Sequence, residues 1–185
     1  MKFVLFQIAM IVSGFTFASE DWMRYSSISP DGQNIAYSYQ GDIFIVGVNG
    51  GESKQITSHT AYDFMPVWSN DSKKIAFASN RFGNHDVFIV GKEGGVPVRL
   101  TFHSANDFPY DFTPKNDKVV YLSSRLDDSK SIQFPKGMFG EVYQVPVVGG
   151  RETQYLSIAA EAIDFSKDGS LMLFQDLKGY EDEWR

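Results

Sequence analysis

Ile56-Thr57-Ser58-His59 recurs 44 positions later as Leu100-Thr101-Phe102-His103, and that offset decides the fold. The same shift, or one close to it, carries Asp42-Ile43-Phe44 onto Asp86-Val87-Phe88, Gly50-Gly51 onto Gly94-Gly95, Asp63-Phe64 onto Asp107-Phe108 and Ser69 onto Thr113. Shared spacing over so many anchors marks an internal repeat. A third copy keeps the order but is stretched. Thr113-Pro114 opens it, Glu141-Val142-Tyr143 replaces the Asp-Ile-Phe element, and Gly149-Gly150 closes it. A fourth starts at Ile163-Asp164-Phe165-Ser166-Lys167-Asp168-Gly169 and is expected to be cut short at Arg185.

Each copy reads as four short strands separated by turn residues. The first strand ends in a Ser-Pro-Asp-Gly type turn, Ser29-Pro30-Asp31-Gly32 in copy one, where proline presets φ and glycine supplies a positive φ. The second strand follows at once, as in Ile35-Ala36-Tyr37-Ser38, Ile75-Ala76-Phe77-Ala78 and Val119-Val120-Tyr121-Leu122. The third, Ile43 to Val46 and Val87 to Val90, is apolar without alternation, which predicts burial on both faces. A two-layer sandwich calls for alternating strands, whereas a sheet stacked between like sheets does not. Four strands in a repeat of this length is the blade of a propeller. The sequence therefore predicts an all-β fold, a β-propeller of four-stranded antiparallel blades with three complete and a fourth truncated. Its blades are expected over residues 22–58, 59–102, 103–157 and 158–185. The di-glycine turns link third to fourth strands, and fourth strands end at Thr57, Thr101 and Tyr155.

Working outward, residues 1–19 differ from the rest. Lys2 precedes an apolar run from Phe3 to Phe17 that ends in Thr16-Phe17-Ala18-Ser19, the layout of a cleaved signal peptide. The run is shorter than the roughly 20 residues of a membrane span. The propeller is then expected over 20–185, in a bacterial periplasm or secreted, with no membrane contact after cleavage. There is no cysteine, so the fold relies on its core rather than on disulfides. With 17 basic and 23 acidic residues, a net charge of -6 and no basic run, a nucleic-acid surface is not expected.

The Ser-Pro-Asp-Gly turn, the Ile-Ala-Phe/Tyr strand, the Ser79 to Asn84 turn, the Asp-Val-Phe strand and the Gly-Gly turn together resemble the WD-repeat-like blades of TolB-type propellers. More narrowly, His59 to Ser69 and Gly179-Tyr180-Glu181-Asp182-Glu183-Trp184-Arg185 resemble the N-terminal propeller of tricorn-like serine peptidases. This resemblance implies the front part of a longer enzyme, with a PDZ-like domain and a serine peptidase domain further along the chain. It also implies that this region admits or docks a peptide or protein substrate.

Three histidines bound any catalytic or metal reading. His59 and His103 occupy equivalent positions, each four residues before an aspartate, Asp63 or Asp107. One reading is a polar ring at the channel mouth that grips a peptide or an ion. The other is that each histidine bonds a nearby aspartate or carbonyl and locks one blade to the next. Repetition favours the second, because a lock is needed per blade and a catalytic residue once. His85, aligned with Gly41, reads as an exposed turn residue. No Gly-x-Ser-x-Gly elbow, phosphate loop or calcium loop is present, so no catalytic residue, metal or cofactor is expected in this chain. Asp176, Glu181, Asp182 and Glu183 read as a solvated face, and Arg81 and Arg125 as salt bridges pinning equivalent turns. Phe64, Trp68, Phe108 and Phe112 read as core between blades, and residues 125–140 as an enlarged surface loop. Two functions stay open: the substrate-gating propeller of an exported tricorn-like peptidase, or a stand-alone TolB-like propeller that binds proteins.

Overall fold

The computed structural model describes residues 22–125, 140–166 and 168–176. The expected leader, most of the expected loop over 125–140 and the Gly179–Arg185 motif lie outside the described residues. Thirteen strands and no helix occupy the described residues. The first blade is β1 (Arg24–Ile28), β2 (Asn34–Tyr39), β3 (Asp42–Gly47) and β4 (Lys54–Gln55), paired in that order. The second is β5 (Asp63–Trp68), β6 (Lys74–Ser79), β7 (Asp86–Gly91) and β8 (Gly94–Arg99). The third is β9 (Asp107–Phe112), β10 (Lys118–Ser123), β11 (Glu141–Pro146) and the start of β12 (Thr153–Phe165). The far end of β12 pairs with β13 (Met172–Asp176) and begins a fourth.

The turn chemistry fixes this order. After each first strand the backbone closes over four residues, with Gly32 N, Ser72 N, Asn116 N and Gly169 N donating to the carbonyls of Ser29, Ser69, Thr113 and Ser166 at 2.8 Å. The residue that closes the turn has φ of 70°, 57°, 57° and 71° in turn. Glycine takes that conformation freely and asparagine more readily than most. The Ser or Thr hydroxyl then bonds an acid two or four residues on: Asp31, Asp71, Asp117 or Asp168. Register follows from the turn. Tyr37 faces Phe44, Phe77 faces Phe88 and Tyr121 faces Tyr143, each pair stacked at 5.8–5.9 Å.

Three apolar layers lie between blades. Trp68 joins Ile43, Ile45 and Ile56 of blade one to Ile75, Phe77 and Phe88 of blade two. Phe112 joins Ala76, Val87 and Leu100 to Val119, Tyr121 and Val145. Val120 and Val142 meet Ala160 and Ile163 in the third layer. Full burial of one such side chain is worth roughly 1.5–3 kcal/mol, so this stacking is what stabilises the array. β7 is buried along both faces, as its unbroken apolar run predicts. In β3, Ile43 and Ile45 are buried but Phe44 and Val46 only partly, because just one face meets a neighbouring blade.

The fourth strand of blade three does not end at Tyr155. β12 runs unbroken to Phe165, so one strand serves both sheets and the join expected near residue 157 lies inside it. A second feature is long-range. Asp31 N donates to Ser72 Oγ (3.1 Å), Asn70 N donates to Asn116 Oδ1 (2.6 Å), and Asn70 Nδ2 donates to the Thr113 carbonyl (3.1 Å). The side chains that close the turns of blades two and three, Ser72 and Asn116, thus reach back to the turn of the blade before.

Candidate functional site: the inner strands and one rim

First strands gather at the centre: β1 lies against β5, β5 against β9, and β9 against β12. Each carries a bulge, where the register to the second strand slips. At Tyr25, Met65 and Ala162 the bulge residue has φ of 52°, 54° and 51°. Pro109 stands at that place in β9, cannot adopt positive φ, and the extra residue there is Tyr110.

Beyond the bulge the inner strands flank a cavity of about 460 Å³ that includes Ser27, Val67, Trp68, Asp111 and Asp164. Ser27, Val67, Asp111 and Asp164 occupy equivalent ladder positions, opposite Ala36, Ala76, Val120 and Leu173. The series runs serine, valine, aspartate, aspartate, so the two carboxylates fall on the last two inner strands. Asp111 accepts from Phe165 N (2.9 Å) and Phe112 N (2.7 Å). Burial pushes its carboxyl up to about 6 against those bonds, and Asp164 adds to the rise. Sequence reasoning missed both residues; the aligned series Ser, Val, Asp, Asp was the signal that marked them.

At the other end of the inner strands the expected ion pairs form, with different partners from those of the histidine readings. Arg81 pairs with Asp63 at 2.6 Å, and Arg125 with Asp107 at 3.2 Å. Arg125 also pairs with Glu152, whose second donor is the Tyr121 hydroxyl. Burial raises the Asp107 carboxyl despite Ser123, Arg125 and Thr101. Burial also opposes ionisation of Glu152, but bonds from Arg125 and Tyr121 outweigh it and its pKa is lowered. Both histidines are exposed. His59 Nδ1 accepts from Ala61 N (2.9 Å), and His103 Nδ1 from Ala105 N (3.1 Å), so each caps its own turn. His59 N also donates to Asp42 Oδ1, tying the turn to β3.

His85 is not the exposed turn residue its alignment with Gly41 suggests. Its ring is half-buried between Phe64, 5.1 Å away, and Phe108, 5.5 Å away, on two different inner strands. Tyr25 and Tyr62 extend this aromatic row through Phe64 at 5.3 and 5.2 Å. Among the described residues no group of three or more metal-binding side chains is close enough to hold an ion.

The match to known proteins follows the architecture. A structure of a putative TolB from Agrobacterium tumefaciens superposes with a TM-score of 0.71 at 16% identity, over 87% of this chain and 56% of that one. TolB from Acinetobacter baumannii gives 0.63 at 18%, over 83% and 37%. The tricorn protease gives 0.52 at 18%, over 67% and 13%. At such identities the likeness is one of fold. In sequence, dipeptidyl-peptidase 5 of Porphyromonas gingivalis is 32% identical over 68 residues, which cover 31% of this chain and 10% of that protein. The chain thus spans only part of the length of each relative. A family model described as the tricorn protease N-terminal beta propeller domain matches from residue 20 to residue 185, across every blade, and it is to that family that the chain belongs.

Proposed function

We propose that this chain is a non-catalytic propeller that gates or docks substrates for an exported tricorn-like serine peptidase, whose PDZ-like and peptidase domains lie further along the polypeptide. The observation that carries the reading is the inner face. An aromatic row at one end and a carboxylate-bearing cavity at the other suit an extended peptide, which needs both stacking and polar contacts. The apolar leader supports export to a bacterial periplasm or beyond. In this reading His59 and His103 hold the turns that link one blade to the next, and Asp63 and Asp107 anchor Arg81 and Arg125, rather than grip ligand.

Two experiments test it. The purified chain is expected to hydrolyse no peptide, and peptidase activity blocked by a serine-directed inhibitor would overturn the assignment. In a protein carrying the downstream domains, His59→Gln with His103→Gln is expected to lower the melting temperature by a few degrees and leave substrate preference fixed. Asp111→Ala is expected to change that preference. A shift in preference with the histidine variant would make the histidines ligand contacts.

A second reading, a stand-alone TolB-like propeller that binds protein partners, is favoured by one surface. Arg99 lies 4.4 Å from the ring centre of Phe82 and 4.7 Å from that of Phe102, and both rings are more than 60% exposed. A coding sequence that continues past Arg185 into a peptidase domain selects the first reading.

A further inference from the structure

Repeats reuse structural devices, so the place where one blade departs from the others points to a task that the others do not share. The sharpest departure is at the rim of blade one. The ladder pair Phe64 with Ala78 in blade two, and Phe108 with Leu122 in blade three, is apolar. In blade one the same pair is Arg24 with Ser38, and in blade four it is Glu161 with Gln175, so blade one alone sets a cation there. The neighbouring lock is missing too, because Met23 stands where blades two and three carry Asp63 and Asp107. A groove of about 470 Å³ takes the place of the lock, bounded by Trp22, Arg24, Ser38, Tyr39, Gly41 and Tyr62.

Two side chains in this groove lack the partner that their chemistry calls for. Arg24 forms no ion pair among the described residues; its guanidinium lies 5.5 Å from the ring centre of Trp22. Ser38 is 2% exposed, and its hydroxyl has no hydrogen-bond partner among the described residues. A buried hydroxyl left unpaired costs free energy that an incoming acceptor recovers. A cation and a hydroxyl donor paired across one ladder rung select a carboxylate. The walls select its neighbour: Trp22 and Tyr62 are 68% and 40% exposed and offer ring faces to an aromatic side chain. Gly41, at φ +89°, lets the β2–β3 turn lie close under the Tyr62 ring, where an added Cβ would be 3.5 Å from it.

We infer that this groove binds a peptide through an internal acidic side chain next to an aromatic residue, with Arg24 and Ser38 holding the carboxylate and Trp22 and Tyr62 the ring. The inference rests on the docking reading of the propeller and narrows it to one rim. It also fits the charge balance, since in a chain of net charge -6 an unpaired arginine is a local exception that attracts an anion.

The test uses the full chain and an acetylated, amidated pentapeptide with one glutamate beside one phenylalanine. Binding is read by tryptophan fluorescence, which exposed Trp22 reports. Replacing the peptide glutamate by glutamine is expected to weaken binding roughly 10- to 100-fold. Arg24→Gln is expected to erase that discrimination, and Arg24→Glu to transfer preference to a lysine peptide. Ser38→Ala is expected to weaken binding while the melting temperature holds or rises, since it removes an unpaired buried hydroxyl. Unchanged glutamate preference in Arg24→Gln would overturn the groove and leave docking elsewhere on the propeller intact. Equal binding by a glutamine peptide with a free C-terminus would assign the site to a chain end and overturn the acidic side chain as ligand. No binding at millimolar peptide would overturn the groove alone, because docking of whole substrates is read separately by the preference assay above.

Discussion

The guanidinium of Arg81 lies 2.6 Å from a carboxylate oxygen of Asp63 that is shut off from solvent, and the arginine itself is only 12% exposed. Removing one member leaves the other's charge buried and alone. Arg81→Met is therefore expected to cost about 3–5 kcal/mol, and Asp63→Leu with Arg81→Met together far less. Urea unfolding followed by the fluorescence of buried Trp68 checks both. Equal losses in the single and double variants would show that packing of the arginine stem, not its charge, matters there.

Asn116 has two tasks, holding φ at 57° and accepting from Asn70 N across the blade boundary. Asn116→Gly keeps the conformation and loses the bond, for an expected cost of about 1 kcal/mol. Asn116→Ala loses both and is expected to cost about 2–3 kcal/mol. Chemical unfolding of the two variants separates conformation from contact, and identical losses would deny φ any role.

The raised carboxyl of Asp111 gives a pH signature. Its folded pKa of about 6 lies above the ordinary aspartate value of 3.8, so the folded state holds the proton more tightly. The resulting stability is present in full below pH 3.8 and is lost as pH rises through 6. Relative to Asp111→Asn, the native chain is expected to lose up to about 3 kcal/mol between pH 4 and pH 7. Parallel pH–stability curves for the two proteins would refute this.

Met65 and Pro109 are aligned, and consensus engineering would exchange them. Yet Met65 sits at φ 54°, which proline cannot reach. Met65→Pro is expected to destabilise blade two by about 3 kcal/mol or more, although blade three carries proline there. A neutral result would mean that the bulge of β5 can move one residue along, to the position it has in β9.

The repeat was legible because it rests on local chemistry. The turn-closing glycines and hydroxyls, the di-glycine links and the apolar third strands act within a few residues of themselves, so they leave a pattern in the sequence. What escaped was non-local. The partners of His85 lie on two other strands, and alignment with Gly41 hid them. The turn interlocks join residues 41 and 46 apart, and no spacing rule reports them. His59 and Asp63 are neighbours in sequence, but Asp63 faces Arg81 because strand direction, not proximity, decides what a side chain meets. Arg24 and Ser38 were passed over because only the ladder register shows that they stand opposite one another.

The unbroken course of β12 has a mechanical consequence. Blades one and two, and two and three, are joined by chain outside the strands, from Ile56 to Tyr62 and from Leu100 to Asn106, held to β3 and β7 at Ile56 N and Leu100 N. Between blades three and four there is no such joint. Thr153 to Ala159 pair with β11 and Ala160 to Phe165 with β13, so a load on β13 reaches β11 through the backbone of a single strand. The ladder-paired amides of β12 should therefore exchange more slowly than those of the exposed residues in the two earlier links, Ser58 to Thr60 and Phe102 to Ser104.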